Sequence, residues 1–243
     1  RGITGNTDKM GVWISGFFGS GKSHFLKILS YLLENKEVGG KKAIDYFVDD
    51  NKISDHMVLA DMKLAGTIPT DVVLFNIDSK SEVNGKQSKV AIVSVLQNVF
   101  NEMQGFSGSN PFLADLERNL TEEGKYDLFK EKFEDSFGSA WEESRSDFDF
   151  IQDDVVEVLD EIGFMSIEAG RNWCEKATGE YTYKVEDFAR LVKKYLDKKE
   201  SNHHIVFLID EIGQYIGDDS KLMLNLQTCL LYTSPSPRDR SVS

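Results

Sequence analysis

The chain has 243 residues and a formal charge of −13, because 41 acidic residues outnumber 28 basic ones. Its 40% hydrophobic and 28% charged residues are typical of a soluble globular protein and exclude a collagen-like or disordered polymer. The two cysteines are too few for a disulfide framework, no apolar run is long enough to cross a bilayer, and no signal-peptide pattern opens the chain. We therefore expect a cytoplasmic protein that does not enter a membrane. The negative charge repels nucleic acid, so this segment is not expected to be the main DNA-gripping surface.

The first predicted elements are a strand, a glycine-rich turn and a helix. Residues 11–15 form a short apolar run bounded by glycines, which is typical of a buried strand. Apolar residues then recur at helical spacing, at Phe25, Leu26, Leu29, Leu32 and Leu33. Gly39 and Gly40 break the chain after this helix.

Strands and helices continue to alternate beyond this break. We predict a helix over 54–64, a second strand over 72–77, a helix over 92–100 and a third strand over 205–209. This alternation predicts an α/β fold, in which helices cover both faces of a parallel sheet.

The segment from residue 105 to residue 201 is mainly helical and acidic in its pattern. Aromatic residues share one helical face at Tyr126, Phe129, Phe133 and Phe137. Two further helices are predicted over 155–162 and 188–196. We interpret the segment as an insertion whose charged faces are solvated surface rather than a binding site.

A phosphate-binding motif occupies the first predicted turn, where residues 16–23 read GFFGSGKS and fit G-x-x-x-x-G-K-[ST] at every fixed position. The glycines let backbone N–H groups converge on an anion at a helix N-terminus. Lys22 adds a positive charge against the β- and γ-phosphates, and the Ser23 hydroxyl suits Mg²⁺. The residues predicted to bind the nucleotide are Gly16, Gly19, Ser20, Gly21, Lys22, Ser23 and His24, the last packing within the first helical turn.

The second motif is Asp210-Glu211, at the end of the third predicted strand. Asp210 is predicted to hold Mg²⁺ through a bound water, and Ser23 is the other candidate metal ligand. Glu211 is predicted to polarise the attacking water, so Glu211 and Lys22 are the candidate catalytic residues. The long separation between the motifs is explained if the helical insertion leaves and returns between two neighbouring strands. Asp78 could equally face the nucleotide or cap the turn after the second strand.

ATP is the expected nucleotide, with GTP as the alternative. Residues 210–213 read DEIG and also match the D-x-x-G pattern of GTPases. The guanine-recognising N-K-x-D pattern is absent, although it normally lies beyond this point and its absence weighs little. The glutamate beside Asp210 favours an ATPase with a built-in catalytic residue.

Two segments resemble the BREX-system ATPases, the BrxC/PglY family. They are residues 9–27, which read KMGVWISGFFGSGKSHFLK, and residues 207–216, which read FLIDEIGQYI. The double phenylalanine in the loop and the DEIGQYI run are more specific than the generic motifs. The similarity extends over most of residues 1–228.

This resemblance implies an AAA+/ASCE-like P-loop NTPase that acts in bacterial defence against phage. It implies an N-terminal fragment of a longer protein, a homo-oligomer when intact, with other defence-system proteins as partners and DNA contacted through the complex. By motif match, it implies nucleotide binding by Gly16, Gly19, Gly21, Lys22 and Ser23. It implies a magnesium-associated Asp210 and a hydrolytic Glu211.

The predicted domains are the first part of an NTPase core at 1–104, the helical acidic insertion at 105–201, the second-motif strand at 202–229 and a tail at 230–243. The tail resembles a translated sequencing adapter. The alternative is a genuine tail rich in proline and serine, without a core-forming pattern.

Three functions are compatible with these motifs. The first is an ATPase whose cycle couples nucleotide state to assembly or remodelling of a phage-defence complex on DNA. The second is a nucleotide-sensing scaffold with negligible hydrolysis, in which the acidic insertion contacts partners. The third is a GTP-driven switch.

Overall fold

The computed structural model describes residues 11–17, 19–50, 52–81 and 91–232. Contacts divide the chain into two units, which we call the sheet unit (residues 1–95 and 183–243) and the helical unit (residues 96–182). No helix among the described residues is both long and apolar enough to cross a bilayer.

The described elements are helices interspersed with short strands. In chain order they are α1 (Lys22–Glu34), β1 (Glu37–Val38), β2 (Lys41–Lys42), α2 (Ala43–Asp49), α3 (His56–Ala65), β3 (Thr70–Asn76), α4 (Ile77–Ser81), α5 (Ile92–Met103), α6 (Pro111–Glu122), α7 (Tyr126–Phe137), α8 (Trp141–Ser144), a 3₁₀ helix (Arg145–Phe150), α9 (Gln152–Glu161), α10 (Ile167–Ala177), α11 (Val185–Leu196), β4 (His204–Asp210), α12 (Ile212–Ile216) and α13 (Ser220–Tyr232).

Strands β3 and β4 form a parallel pair in the sheet unit, with Thr70 opposite His204 and Asn76 opposite Asp210. Both are continuous apolar runs, as expected of parallel strands. The segment 77–203 leaves at the end of β3 and returns at the start of β4, so the predicted excursion between neighbouring strands is confirmed. Helix α1 packs against both strands and buries Leu26. The predicted α/β class is therefore confirmed.

The predicted strand at residues 11–15 is wrong. Residues 11–17 form neither strand nor helix, and Val12, Trp13 and Ile14 are 88%, 56% and 39% exposed. An apolar run becomes a strand only when its N–H and C=O groups meet those of a neighbouring strand. Among the described residues, the sheet of β3 and β4 contains no third strand to supply that ladder.

The glycine pair predicted to break the chain is the turn of a hairpin between β1 and β2. Gly39 and Gly40 have φ angles of 62° and 79°. Two consecutive residues at positive φ are what a type I′ turn requires, and glycine adopts them at least cost.

Asp71 ties α11 to the amino end of the sheet. Its Oδ2 accepts a hydrogen bond from the Tyr195 hydroxyl at 2.6 Å and lies 2.7 Å from His203 Nε2. Burial raises the pKa of Asp71, but the hydrogen bonds from Tyr195 and His203 outweigh it and hold that pKa below its usual value. Helix α11 also places Phe188 edge-on to Phe207 of β4, with ring centroids 6.1 Å apart.

The contact-based units therefore place α11 with the sheet, whereas the predicted insertion at 105–201 includes it. The predicted domain boundaries stay predictions. Helix α13 continues to Tyr232, past the start of the predicted tail at residue 230, and residues 233–243 lie outside the described residues.

The helical unit has an aromatic core of its own. Phe129 and Phe133 of α7 both pack edge-on against Trp141, with ring centroids 5.1 and 5.2 Å away. All three side chains are fully buried. Of the four residues on the predicted aromatic face, Phe129 and Phe133 are therefore buried, whereas Phe137 is 40% exposed.

The buried carboxylate of Glu117 accepts hydrogen bonds from residues in and around this aromatic core. Glu117 is fully buried, and its Oε1 accepts hydrogen bonds from Trp141 Nε1 at 2.7 Å, Arg145 Nη1 at 2.7 Å and the Tyr126 hydroxyl at 3.1 Å. Its Oε2 accepts from the Ser107 backbone N–H. Burial and the charge of Glu117 raise the pKa of Tyr126 far above its ordinary value, so Tyr126 acts as a donor.

Replacing this carboxylate should destabilise the helical unit strongly. Glu117→Ala leaves the Trp141 N–H without its acceptor and the Arg145 charge without its carboxylate partner, and removing one partner of a buried pair costs about 3–5 kcal/mol. Urea unfolding followed by tryptophan fluorescence measures the change. Glu157→Ala, at an exposed position of α9 in the same unit, is the matched control. A loss no greater than in that control would contradict the structural role of Glu117.

Candidate functional site

The loop predicted to bind phosphate turns tightly at Gly19 and Gly21, directly before α1. Gly19 and Gly21 have φ angles of 76° and 85°, in the left-handed region that favours glycine, and Gly21 is the N-cap of α1. A Cβ atom at Gly16 would lie 2.7 Å from the Ser20 hydroxyl oxygen. The loop is therefore closed too tightly for a side chain at Gly16 unless Ser20 moves.

Lys22 folds back across this loop. Its Nζ donates hydrogen bonds to the carbonyl oxygens of Gly16 and Phe17, each at 3.0 Å. These acceptors carry no net charge, so an anionic phosphate competes favourably for the ammonium group. Ser23 and His24 are exposed in the first turn of α1. The predicted binding residues thus occupy one continuous stretch around a helix N-terminus.

The second motif stands where β4 ends and α12 begins. Asp210 closes the strand, and its Oδ1 accepts a hydrogen bond from the Glu211 backbone N–H at 3.0 Å. Glu211 has a φ of 60° and is the N-cap of α12. A residue other than glycine in this conformation costs about 1–2 kcal/mol, and such strain clusters at functional sites.

Segments that flank the two motifs approach each other within the sheet unit. The Trp13 ring, from the segment that leads into the loop, lies 3.4 Å from where a Cβ of Gly213 would stand in α12. Helix α12 follows Asp210 and Glu211 immediately, and α1 packs on the same two strands that carry the second motif. The loop and the acidic pair therefore belong to one neighbourhood.

Sequence reasoning missed Asn76, which ends β3 directly opposite Asp210. Its Oδ1 accepts hydrogen bonds from the backbone N–H groups of Asp78 and Ser79 at 3.0 and 3.2 Å, so Asn76 caps α4. Asp78, the candidate named from sequence, lies beyond the strand in α4. The signal for Asn76 was a polar residue near the end of an apolar strand, but its importance depends on the register between β3 and β4.

A family comparison identifies the class of this domain. The KAP family P-loop domain matches residues 4–234. The chain belongs to the KAP family of P-loop NTPases. No solved structure matches it. The matched range of the KAP domain includes the whole helical unit as well as both motifs.

The donor atoms of this KAP-family site suit a hard cation such as Mg²⁺. Ser23 offers a hydroxyl oxygen and Asp210 a carboxylate oxygen, which are the ligand types that Mg²⁺ prefers. Within the part of the chain that the structure describes, no group of three or more His, Cys, Asp or Glu residues forms a dedicated metal cage. The two oxygen donors of Ser23 and Asp210 are enough for Mg²⁺, which is usually held by one or two protein ligands together with water and phosphate oxygens.

Proposed function

We propose that this KAP-family domain binds ATP with Mg²⁺ and hydrolyses it to ADP and phosphate. Two features together carry the proposal. The Lys22 ammonium group lies across a glycine-rich turn, and Glu211 has a strained backbone directly after Asp210, the last residue of β4. The P-loop assignment of the family supports nucleotide binding.

Each residue has a distinct role in this mechanism. The backbone N–H groups around Gly19 and Gly21 bind phosphate oxygens, and Lys22 balances the charge that develops on the transferred group. Ser23 and Asp210 would hold Mg²⁺, which neutralises phosphate charge when bound. Glu211 orients a water molecule and takes its proton as the water oxygen attacks the terminal phosphorus. The bond from that phosphorus to the bridging oxygen breaks, ADP and phosphate leave, and Glu211 returns the proton to solvent.

The wider role that we propose is in a BREX-like phage-defence complex, where the nucleotide state controls assembly or remodelling on DNA. The resemblance of residues 9–27 and 207–216 to the BREX-system ATPases supports this role. The net charge of −13 favours contact with DNA through partner proteins rather than through this chain. An AAA+-like homo-oligomer follows from the same resemblance.

Equilibrium binding of ATP and GTP, with and without Mg²⁺, tests the core of the proposal. We expect magnesium-dependent binding of ATP, weaker binding of GTP, and release of phosphate from ATP. A preference for GTP would replace the ATPase by a GTP-driven switch. Tight ATP binding without phosphate release, even with partner proteins and DNA present, would favour a nucleotide-sensing scaffold over an ATPase.

A further inference from the structure

We propose that Trp13 is a positioning residue for hydrolysis, which holds Glu211 in place relative to the phosphate-binding loop. This inference rests on the proposed ATPase function and adds a residue that lies outside both motifs. Three features carry it: the contact of Trp13 with α12, the hydrogen bonds by which α12 fixes Glu211, and the closeness of Trp13 to the loop in the chain.

The segment that leads into the loop lies along the two helices that follow the second motif. A Cβ atom on Gly213, in the first turn of α12, would stand 3.4 Å from Cζ2 of the Trp13 ring. A Cβ atom on Gly11 would stand 3.3 Å from the Leu230 side chain of α13. Helices α12 and α13 also pack on each other. Two separate contacts therefore fix residues 11–13 against α12 and α13, and glycine at position 213 leaves room for the indole ring.

Helix α12 determines where the backbone of Glu211 lies. The Glu211 carbonyl oxygen accepts hydrogen bonds from the backbone N–H groups of Gln214 and Tyr215, both at 3.1 Å. The side chains of Tyr215 and Ile216 are buried, which anchors α12 in the core of the sheet unit. Glu211 is therefore held by the same short helix that the Trp13 ring contacts.

Trp13 is also close in the chain to the loop that would bind phosphate. It precedes Gly16 by three residues, a stretch that spans at most about 11 Å. The Gly16 carbonyl oxygen in turn accepts the hydrogen bond from Lys22 Nζ. A change in the packing of Trp13 on α12 therefore changes the separation between this loop and Glu211.

Hydrolysis depends on that separation more strongly than binding does. A general base must lie within hydrogen-bond reach of the water that it activates, and that water must lie at the terminal phosphorus. The loop residues hold the phosphates without using the Glu211 side chain. Loss of the Trp13 contact should therefore lower the turnover of bound ATP and leave the affinity for the nucleotide unchanged.

Turnover and affinity are measured separately to test this role. Steady-state phosphate release gives kcat, and Mg²⁺-dependent binding of a non-hydrolysable ATP analogue gives the affinity. We expect Trp13→Ala to lower kcat about 10- to 100-fold, because small misplacements of a catalytic group have effects of this size. The affinity for the analogue should stay at the wild-type value. Trp13→Phe keeps an aromatic ring on Gly213 and should restore most of the turnover.

A double variant distinguishes positioning of Glu211 from a general effect on the site. If Trp13 acts through Glu211, Trp13→Ala should cause no further fall in the residual phosphate release of Glu211→Gln, because the group that it positions has already been lost. Tyr31→Ala is the matched control. Tyr31 is an aromatic residue of α1 in the same unit, and it is 55% exposed, against 56% for Trp13. This control should change neither turnover nor affinity.

The possible outcomes separate this inference from the proposed function. A wild-type protein that releases no phosphate from ATP would overturn both. Wild-type turnover in Trp13→Ala would overturn only the role of Trp13, and so would a parallel loss of turnover and affinity or a further fall in the Glu211→Gln background. If Trp13→Ala does not fold, Trp13→Leu, which keeps more apolar surface but no ring, replaces it in the same measurements. A loss of turnover alone, reversed by phenylalanine, supports the inference.

Discussion

Lys22→Ala should abolish high-affinity nucleotide binding while leaving the fold intact. The ammonium group of Lys22 lies 3.0 Å from the carbonyl oxygens of Gly16 and Phe17. At this position its positive charge would attract bound phosphates. A hydrogen bond to a charged group contributes about 1.5–3 kcal/mol, so we expect ATP affinity to fall by roughly 10- to 100-fold or more. Titration calorimetry with Mg²⁺ and ATP measures this loss.

The loss of affinity must come from the loop and not from unfolding. Within the described part of the chain, Lys22 hydrogen-bonds to the neutral carbonyls of its own loop, so the unfolding midpoint should change little. Lys27→Ala is the matched control, because Lys27 is an exposed lysine of the same helix outside the motif. Lys22→Arg should also bind weakly, since the planar guanidinium does not reproduce a compact ammonium at a phosphate. Retention of wild-type affinity in Lys22→Ala would refute the assignment of the loop.

Local sequence patterns were sufficient to predict those helices and strands whose buried residues follow from their own spacing. Phe129 and Phe133 on the predicted aromatic face of α7 are buried, and β3 and β4 overlap the strands predicted over 72–77 and 205–209. The run at 11–15 has the same local character but no paired strand among the described residues, and the Trp13 ring approaches Gly213 instead. A strand is a property of two segments, so a single segment does not determine it.

Two helices that were not predicted individually, α6 and α10, begin at recognisable sequence signals. Asn110-Pro111 is a typical helix start. Asn110 caps the helix through Phe112 and Leu113, and proline is favoured at the first helical position. Ser166 caps α10 in the same manner, through the Ala169 N–H.

The residues of the candidate site likewise differ in whether the sequence alone predicts them. The loop at residues 16–23 and the pair Asp210-Glu211 are contiguous motifs, so the sequence suffices to name them. The position of Asn76 opposite Asp210 depends on the register of two strands that are far apart in the chain, and no local pattern contains that information. The left-handed conformation of Glu211 was equally hidden, because glutamate has no preference for it.

Glu211 should show opposite effects on turnover and on stability, depending on the replacement. Glu211→Gln keeps the size of the side chain but cannot accept a proton, so ATP binding should persist while turnover falls by about 10²- to 10⁴-fold. Steady-state phosphate release measures the loss, and equilibrium binding shows that the site is still occupied. Wild-type turnover in Glu211→Gln would eliminate Glu211 as the residue that takes the proton.

The backbone of Glu211 permits a second test that does not depend on turnover. Its φ of 60° costs about 1–2 kcal/mol for a residue with a Cβ, whereas the extra chain entropy of glycine removes about 0.5–1 kcal/mol of the benefit. Glu211→Gly should therefore raise the free energy of unfolding by about 0.5–1 kcal/mol and still lose turnover. Glu211→Ala is the control, because it removes the same carboxylate but retains the strained conformation. If both variants lose turnover and only the glycine variant gains stability, the strain at this position is maintained for catalysis and not for folding. Equal stability of the two variants would mean that the strain does not exceed the entropy cost of glycine, about 0.5–1 kcal/mol.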